Sequence, residues 1–200
     1  MVLWDVVWVG FLGVVAGCAG PDGPIGVDGT DGADGASWND EIGDVLHGDY
    51  TIQNNWDIAA IDGVTEITGD LYIEGSTLRT LEGLESLTTV GGDLDVYQCQ
   101  ELNSLAGLDN LTTVGEYFSI QFNYPLVSLD GLQNLTDVYR LDVYENVGIT
   151  SISEMESLAT VEDQVYVRYN DSLCQSEVDE WEATLDDSIT VTSSNNDDGC

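Results

Sequence analysis

Apolar residues two apart mark short strands at regular intervals: Tyr50-x-Ile52, Leu71-x-Ile73, Leu94-x-Val96, Phe118-x-Ile120, Leu141-x-Val143 and Val165-x-Val167. They recur every 21 to 24 residues, a period that belongs to repeat architectures. Between strands the spacing changes from twos to threes. Leu78, Leu81, Leu84, Leu87 and Val90 form one such run, followed by Leu102, Leu105, Leu108, Leu111 and Val114. Leu126, Leu129, Leu132, Leu135 and Val138 form the next, then Ile149, Ile152, Met155, Leu158 and Val161. In an α-helix each step of three turns about 300°, so five such residues would wander around the cylinder and bury no single face. A 3-10 helix of that length is uncommon, and Gly83, Gly107 and Gly131 interrupt the runs at one phase. The chain must therefore bend stepwise around a shared interior, each repeat burying its apolar side only against its neighbours.

Asparagine or cysteine follows the strands at fixed phase: Asn55, Cys99, Asn123, Asn146 and Asn170 stand three residues beyond the second apolar strand position, with Ser76 in a shortened second repeat. The leucine-rich repeat has this residue after its L-x-L strand, where a buried side chain bonds the backbone of the turn. Together with the GD-L-x-[IV] and LTTVG phrases, the stretch from Asp49 to Cys200 resembles the receptor L domain, a variety of leucine-rich solenoid also seen in bacterial surface lipoproteins. The resemblance implies a mainly β, right-handed leucine-rich-repeat-type solenoid of about six rungs with a short C-terminal capping helix. It implies binding, since relatives include hormone-receptor ectodomains, without naming what is bound.

The N-terminal region reads differently. Val6 to Ala16 is an apolar run broken only by glycines, far short of the roughly 20 residues that span a bilayer, so it reads as the core of a signal peptide. Ala16 and Gly17 directly before Cys18 look like the bacterial lipobox, which implies lipidation of Cys18 and cleavage before it; an ordinary signal peptide followed by cysteine is the alternative. Asp5, with no Lys or Arg beside it, departs from the positive start of such peptides and points to a start codon upstream. Ala19 resembles lipoproteins passed to an outer membrane. Glycine then recurs at 20, 23, 26, 29, 32 and 35, a collagen-like spacing that with few prolines and several aspartates reads as an acidic tether reaching at most about 60 Å. The predicted organisation is a signal peptide at 1–17, a lipid-anchored collagen-like linker at 18–37, and a linker or N-terminal cap at 38–47. A solenoid at 48–173 and a C-terminal cap at 174–200 follow.

With Cys18 assigned to lipid and Cys99 to the asparagine series, Cys174 and Cys200 remain to form a disulfide, whose loop closure is worth about 3 to 4 kcal/mol. Between them Val178, Trp181 and Leu185 are spaced for an amphipathic helix over Ser176 to Leu185. Nothing suggests catalysis: His47 is the single histidine, and no motif for a nucleophile, metal or phosphate occurs. No cofactor is expected beyond weak, nonspecific Ca²⁺ attraction to acidic side chains.

Charge narrows the partners. Three Lys plus Arg stand against 38 Asp plus Glu, a net charge of −35, which disfavours nucleic acid and anionic lipid faces, so that membrane attachment would come only through a lipid anchor. Cations and basic partners are favoured. Strand alternation sends two columns outward: Thr51, Tyr72, Asp95, Ser119, Asp142, Tyr166, and Gln53, Glu74, Tyr97, Gln121, Tyr144, Arg168. Tyr72, Glu74, Asp95, Tyr97, Gln121, Asp142, Tyr144, Tyr166 and Arg168 are the candidate binding residues, since rings beside carboxylates supply contact area and hydrogen bonds. Tyrosine also favours strands and acids any surface of this chain, so the columns read equally as solvated sheet. Two classes of function follow: a cell-surface or outer-membrane recognition or adhesion module for an extracellular protein or carbohydrate, or an envelope spacer without a specific ligand.

Self-repulsion at this charge predicts stabilisation by salt. The melting temperature is expected to climb between about 0.1 M and about 1 M NaCl, and with CaCl₂, as the Debye length contracts from about 10 Å to about 3 Å; a flat response to both would refute it.

Overall fold

The computed structural model describes residues 44–200. The signal peptide at 1–17, Cys18 with its lipidation, and the collagen-like linker at 18–37 lie outside the described residues, as does the predicted cap at 38–47 up to residue 43.

In chain order the elements are β1 (Val45–Leu46), β2 (Tyr50–Ile52), α1 (Asn55–Ala60), β3 (Glu66–Ile67), β4 (Leu71–Ile73), β5 (Thr89–Val90) and β6 (Leu94–Tyr97). Then come β7 (Thr113–Gln121), β8 (Asp137–Tyr144), β9 (Thr160–Val161), β10 (Val165–Arg168), α2 (Gln175–Glu182) and β11 (Val191–Ser194). Every predicted strand pair forms, and every strand pairing is parallel. One ladder runs β2-β4-β6-β7-β8-β10-β11, with Leu71, Leu94, Phe118, Leu141 and Val165 in register. A second ladder, which takes in the LTTVG phrases at β5 and the start of β7, runs β1-β3-β5, the start of β7, the start of β8, and β9. β7 and β8 belong to both ladders, with a register shift between Val114 and Tyr117 marking the corner.

The leucines in threes all point inward. Leu78 to Val90, Leu102 to Val114 and Leu126 to Val138 are buried at every third position, making one continuous apolar interior with the strand residues. Truncating one of these, Leu105 for instance, costs about 2–5 kcal/mol in a core that cannot collapse around the hole. The turns between them need glycine where a side chain has no room. At Gly107, φ is +115° and a Cβ would sit 2.2 Å from the Leu81 carbonyl oxygen of the preceding repeat.

Polar ladders hold successive repeats in register. Asn123, Asn146 and Asn170 are fully buried. The Asn146 side chain accepts from the Asn123 amide at 3.0 Å and donates to the Ile120 carbonyl at 2.7 Å; Asn170 does the same for Asn146 and Val143. Cys99 ends the series, its amide donating to Asn123 Oδ1 at 2.9 Å and its buried thiol to the Ile73 carbonyl; burial pushes that thiol's pKa up. A threonine ladder runs in parallel, with Thr88, Thr112 and Thr136 each donating from Oγ1 to the backbone carbonyl of the threonine one repeat before. At the entry to the strands an aspartate ladder completes the set. Asp49, Asp70 and Asp93 each accept the backbone amide one repeat on, of Asp70, Asp93 and Tyr117. The glycine of the GD phrase leaves room for it: a Cβ on Gly92 would lie 2.1 Å from Asp70 Oδ1.

Three expectations need correction. Asn55 does not join the buried series; it begins α1, exposed, because Asn54 and Asp57 form a capping box there. The buried carboxylate of Asp57 takes the role of the first rung, accepting the amides of Gln53 and Asn54. Ser76 is also exposed, since the short second repeat buries Gly75, where any Cβ would crowd the Gln53 carbonyl. The segment 174–200 is more than a cap. Its helix α2 buries Val178 and Trp181 but ends at Glu182, short of the half-buried Leu185 that the spacing places in it, and the Cys174–Cys200 disulfide is formed. β11 then adds a strand, and Asn196 extends the asparagine ladder, accepting from the Asn170 amide and donating to the Val167 carbonyl.

Replacing Asn146 with alanine strips partners from the Asn123 amide and the Ile120 carbonyl, both buried. Chemical denaturation is expected to show a loss of about 3 kcal/mol, against a few tenths for the exposed Asn55→Ala.

Candidate functional site

Parallel register places the outward columns side by side on the exposed face of the longer ladder. Thr51, Tyr72, Asp95, Ser119, Asp142 and Tyr166 are successive register partners, and Tyr97, Gln121, Tyr144 and Arg168 form the second column. Gln53 and Glu74 continue that column toward the N-terminal end, joined by a 3.0 Å hydrogen bond. Two clefts indent the face. One, of about 300 Å³, is lined by Tyr72, Glu74, Asp95, Tyr97, Ser119 and Gln121. The other, of about 320 Å³, shares Asp95, Ser119 and Gln121 and adds Asp93, Tyr117, Phe118, Arg140 and Asp142. Six of the nine predicted residues line the clefts, namely Tyr72, Glu74, Asp95, Tyr97, Gln121 and Asp142, whereas Tyr144, Tyr166 and Arg168 lie beside them without lining either: Tyr144 is the register partner of Gln121, and Tyr166 and Arg168 follow on the next strand.

The C-terminal end of the face carries cations. Arg140 and Arg168 both donate to Asp142 Oδ2, at 3.3 and 3.4 Å. Both guanidinium carbons also lie 4.4 Å from the centroid of the Tyr166 ring, and Arg140 reaches over Tyr117 and Arg168 over Tyr144 at longer range. Asp142 Oδ1 and Arg168 Nε are buried without a protein partner. Arg140 escapes the sequence reading because it precedes the L-x-V strand pattern; only the continuation of β8 from the LTTVG ladder brings it onto the face.

Carboxylates hold the other end. The Tyr72 hydroxyl donates to Asp70 Oδ2 at 2.9 Å, and that bond, with burial and the charges of Asp70, Asp49 and Asp95, pushes the phenol up to about 12. Burial also raises the Asp95 carboxyl, with Asp93 and Asp70 adding repulsion that the Ser119 hydroxyl partly offsets.

Along one margin of the face an aromatic ridge runs across the strands. Tyr97, Phe122, Tyr144 and Tyr169 meet edge to face at centroid distances of 5.6, 5.5 and 5.4 Å. Tyr97 and Tyr144 end their strands, whereas Phe122 and Tyr169 sit at φ +57° and +60°, immediately before the ladder residues Asn123 and Asn170. Gln98, Glu145 and Asn195 hold the same left-handed conformation before Cys99, Asn146 and Asn196. The left-handed turn swings the Phe122 and Tyr169 rings back toward the strand ends, so period-two reasoning omits them. Their signal was the position itself, directly before the asparagine.

His47 is exposed between β1 and β2. Among the described residues no group of three or more His, Cys, Asp or Glu is placed to hold a metal ion, and no helix is long and apolar enough to cross a membrane. A family model, the Receptor L domain, matches residues 88–185. That match supports the resemblance in the repeats, fits the mainly parallel β architecture, and spans the strand face from Asp95 to Arg168. The receptor L domain is a ligand-binding module of extracellular proteins. No curated protein matches the chain.

The Tyr72 phenol gives a pH signature. Its folded value lies above the unfolded value of about 10, so its contribution to stability is complete below about pH 10 and is lost as the pH rises toward about 12. Spectrophotometric titration is expected to show the Tyr72 phenol ionising near pH 12, and at a lower pH in Asp70→Asn, the difference between the two curves identifying it among the tyrosines.

Proposed function

We propose that this chain is an exported recognition or adhesion module, a right-handed solenoid that presents its longer strand ladder to an extracellular ligand. The observation that carries the reading is the pair of adjoining clefts on that face, lined by tyrosines and carboxylates in strand register. Such rings offer rigid contact area at low conformational cost, and half-buried acids give orientation. Tyr72, Glu74, Asp95, Tyr97, Gln121, Asp142, Tyr144, Tyr166 and Arg168 are the binding set, to which Arg140, Phe122 and Tyr169 are added. In this reading Cys18 carries the lipid that holds the module at the outer membrane or cell surface, the glycine-rich segment is its tether, and the face binds without catalysing a reaction.

The test uses cells displaying the full chain. Screening against extracellular proteins and cell-surface polysaccharides is expected to yield a saturable ligand whose affinity falls about tenfold or more in Tyr97→Ser/Tyr144→Ser, while Cys18→Ser releases the protein from the membrane fraction. Binding that ignores the tyrosine pair would move the site off the face. Dense display with no saturable ligand would favour the spacer role.

A further inference from the structure

The face repeats one arrangement at its two ends. Tyr166 and Asp142 are register partners on β10 and β8, and Tyr72 and Asp95 are register partners on β4 and β6. At the first pair the aspartate is neutralised and the ring covered by the chain's own guanidinium groups, those of Arg140 and Arg168. At the second pair there is no such group. Arg168 stands two residues after Tyr166, whereas Glu74 stands two residues after Tyr72. The third arginine, Arg79, is engaged with Glu101, and the sequence contains no lysine.

What lies beside Tyr72 and Asp95 instead is the cleft of about 300 Å³, with Tyr97 and Glu74 on its walls. Its lining acids, Glu74 and Asp95, pair with no arginine, and Asp70 is held close by the Tyr72 hydroxyl. A neutral sugar could hydrogen-bond here but would leave that charge unbalanced. A divalent ion needs converging carboxylates, and the described residues group none in threes.

Resting on the recognition reading above, we propose that this cleft seats a lysine or arginine side chain from a basic polypeptide segment, which completes at Tyr72–Asp95 what Arg140 and Arg168 complete at Tyr166–Asp142. The volume suits one long cationic side chain lying between the two tyrosine rings, with its charged end near Asp95 and Glu74. Net charge of −35 steers such a segment toward the protein, while the cleft decides where it stops. The rest of the segment would continue along the aromatic ridge from Tyr97 toward Phe122 and Tyr144, whose rings are spaced about one strand apart.

The probes are a blocked hexapeptide alternating lysine with glycine and its counterpart alternating glutamine with glycine, titrated into the full chain at physiological salt. The lysine peptide is expected to bind and the glutamine peptide to fail. The isosteric Glu74→Gln/Asp95→Asn pair is expected to weaken binding about tenfold or more, whereas Glu180→Gln/Asp187→Asn, removing the same charge from exposed sites at the C-terminal end, changes it less than about twofold. Equal weakening by both pairs would mean diffuse attraction and overturn the inference, as would equal binding of both peptides or no binding of the lysine peptide. The two readings separate cleanly. A ligand from the display screen that is lost in Tyr97→Ser/Tyr144→Ser but untouched by Glu74→Gln/Asp95→Asn leaves the face in place and refutes the basic occupant; a ligand indifferent to both pairs removes the face itself.

Discussion

A buried amide side chain in each of the repeats from Asn123 to Asn196, bonded to the backbone of the repeat before it, is the constraint on which the rest of the structure depends. A parallel ladder with a purely apolar interior could slip, because leucine contacts have no preferred register along the stack. Asparagine removes that freedom: its oxygen takes an amide from the repeat before it and its nitrogen gives a hydrogen bond to a carbonyl there, as Asn146 does with Asn123 and Ile120. A shift by one residue would leave several buried polar groups without partners, each costing about 1–3 kcal/mol. The threonine and aspartate ladders repeat the restraint at two other corners of the coil. Because register is fixed inside, the outward residues of successive strands line up outside.

That alignment turns a surface of ordinary composition into one with polarity. Acids are spread over the whole chain, yet two of the three arginines gather at one end of a single face and share one aspartate. The other end keeps its carboxylates, and desolvation there holds the Asp95 carboxyl above its ordinary value. Between them run Ser119 and Gln121, uncharged and linked by a hydrogen bond. The aromatic ridge lies along the margin, built partly from strand ends and partly from residues that only a left-handed turn could bring there. Placing those residues at positive φ costs about 1 kcal/mol or more apiece outside glycine, and the ladder bonds that follow each one hold the turn in place.

Much of the fold was legible because its periodicities are short and strict. Apolar pairs located every strand of the longer ladder up to β10, and the runs in threes named the interior to the residue. Where the repeat deviates, legibility ended. Asn55 matched the asparagine phase but lay in a capping box, where local bonds to Asp57 outweigh the ladder. The strand β11 was hidden because Ser193 occupies the place of an apolar residue, leaving Asn196 as its only clear mark. For the candidate site, alternation along strands gave the two columns correctly as neighbours. It could not give Arg140, which reaches the face through a second strand fused to the first, nor Phe122 and Tyr169, whose orientation comes from backbone conformation and not from sequence spacing.

The disulfide-tied coil and the plain repeats before it differ in an evolutionary consequence. The bond between Cys174 and Cys200 brackets both α2 and β11, so this coil is tied to the one before it. Inserting a unit between β10 and β11 would mean remaking that crosslink. In the middle the situation is reversed, since Gly107 and Gly131 share one backbone geometry and the ladder bonds are nearly superimposable from one unit to the next. Gene duplication can therefore splice in whole units there, widening the display face by about 4.8 Å each time while both ends stay as they are.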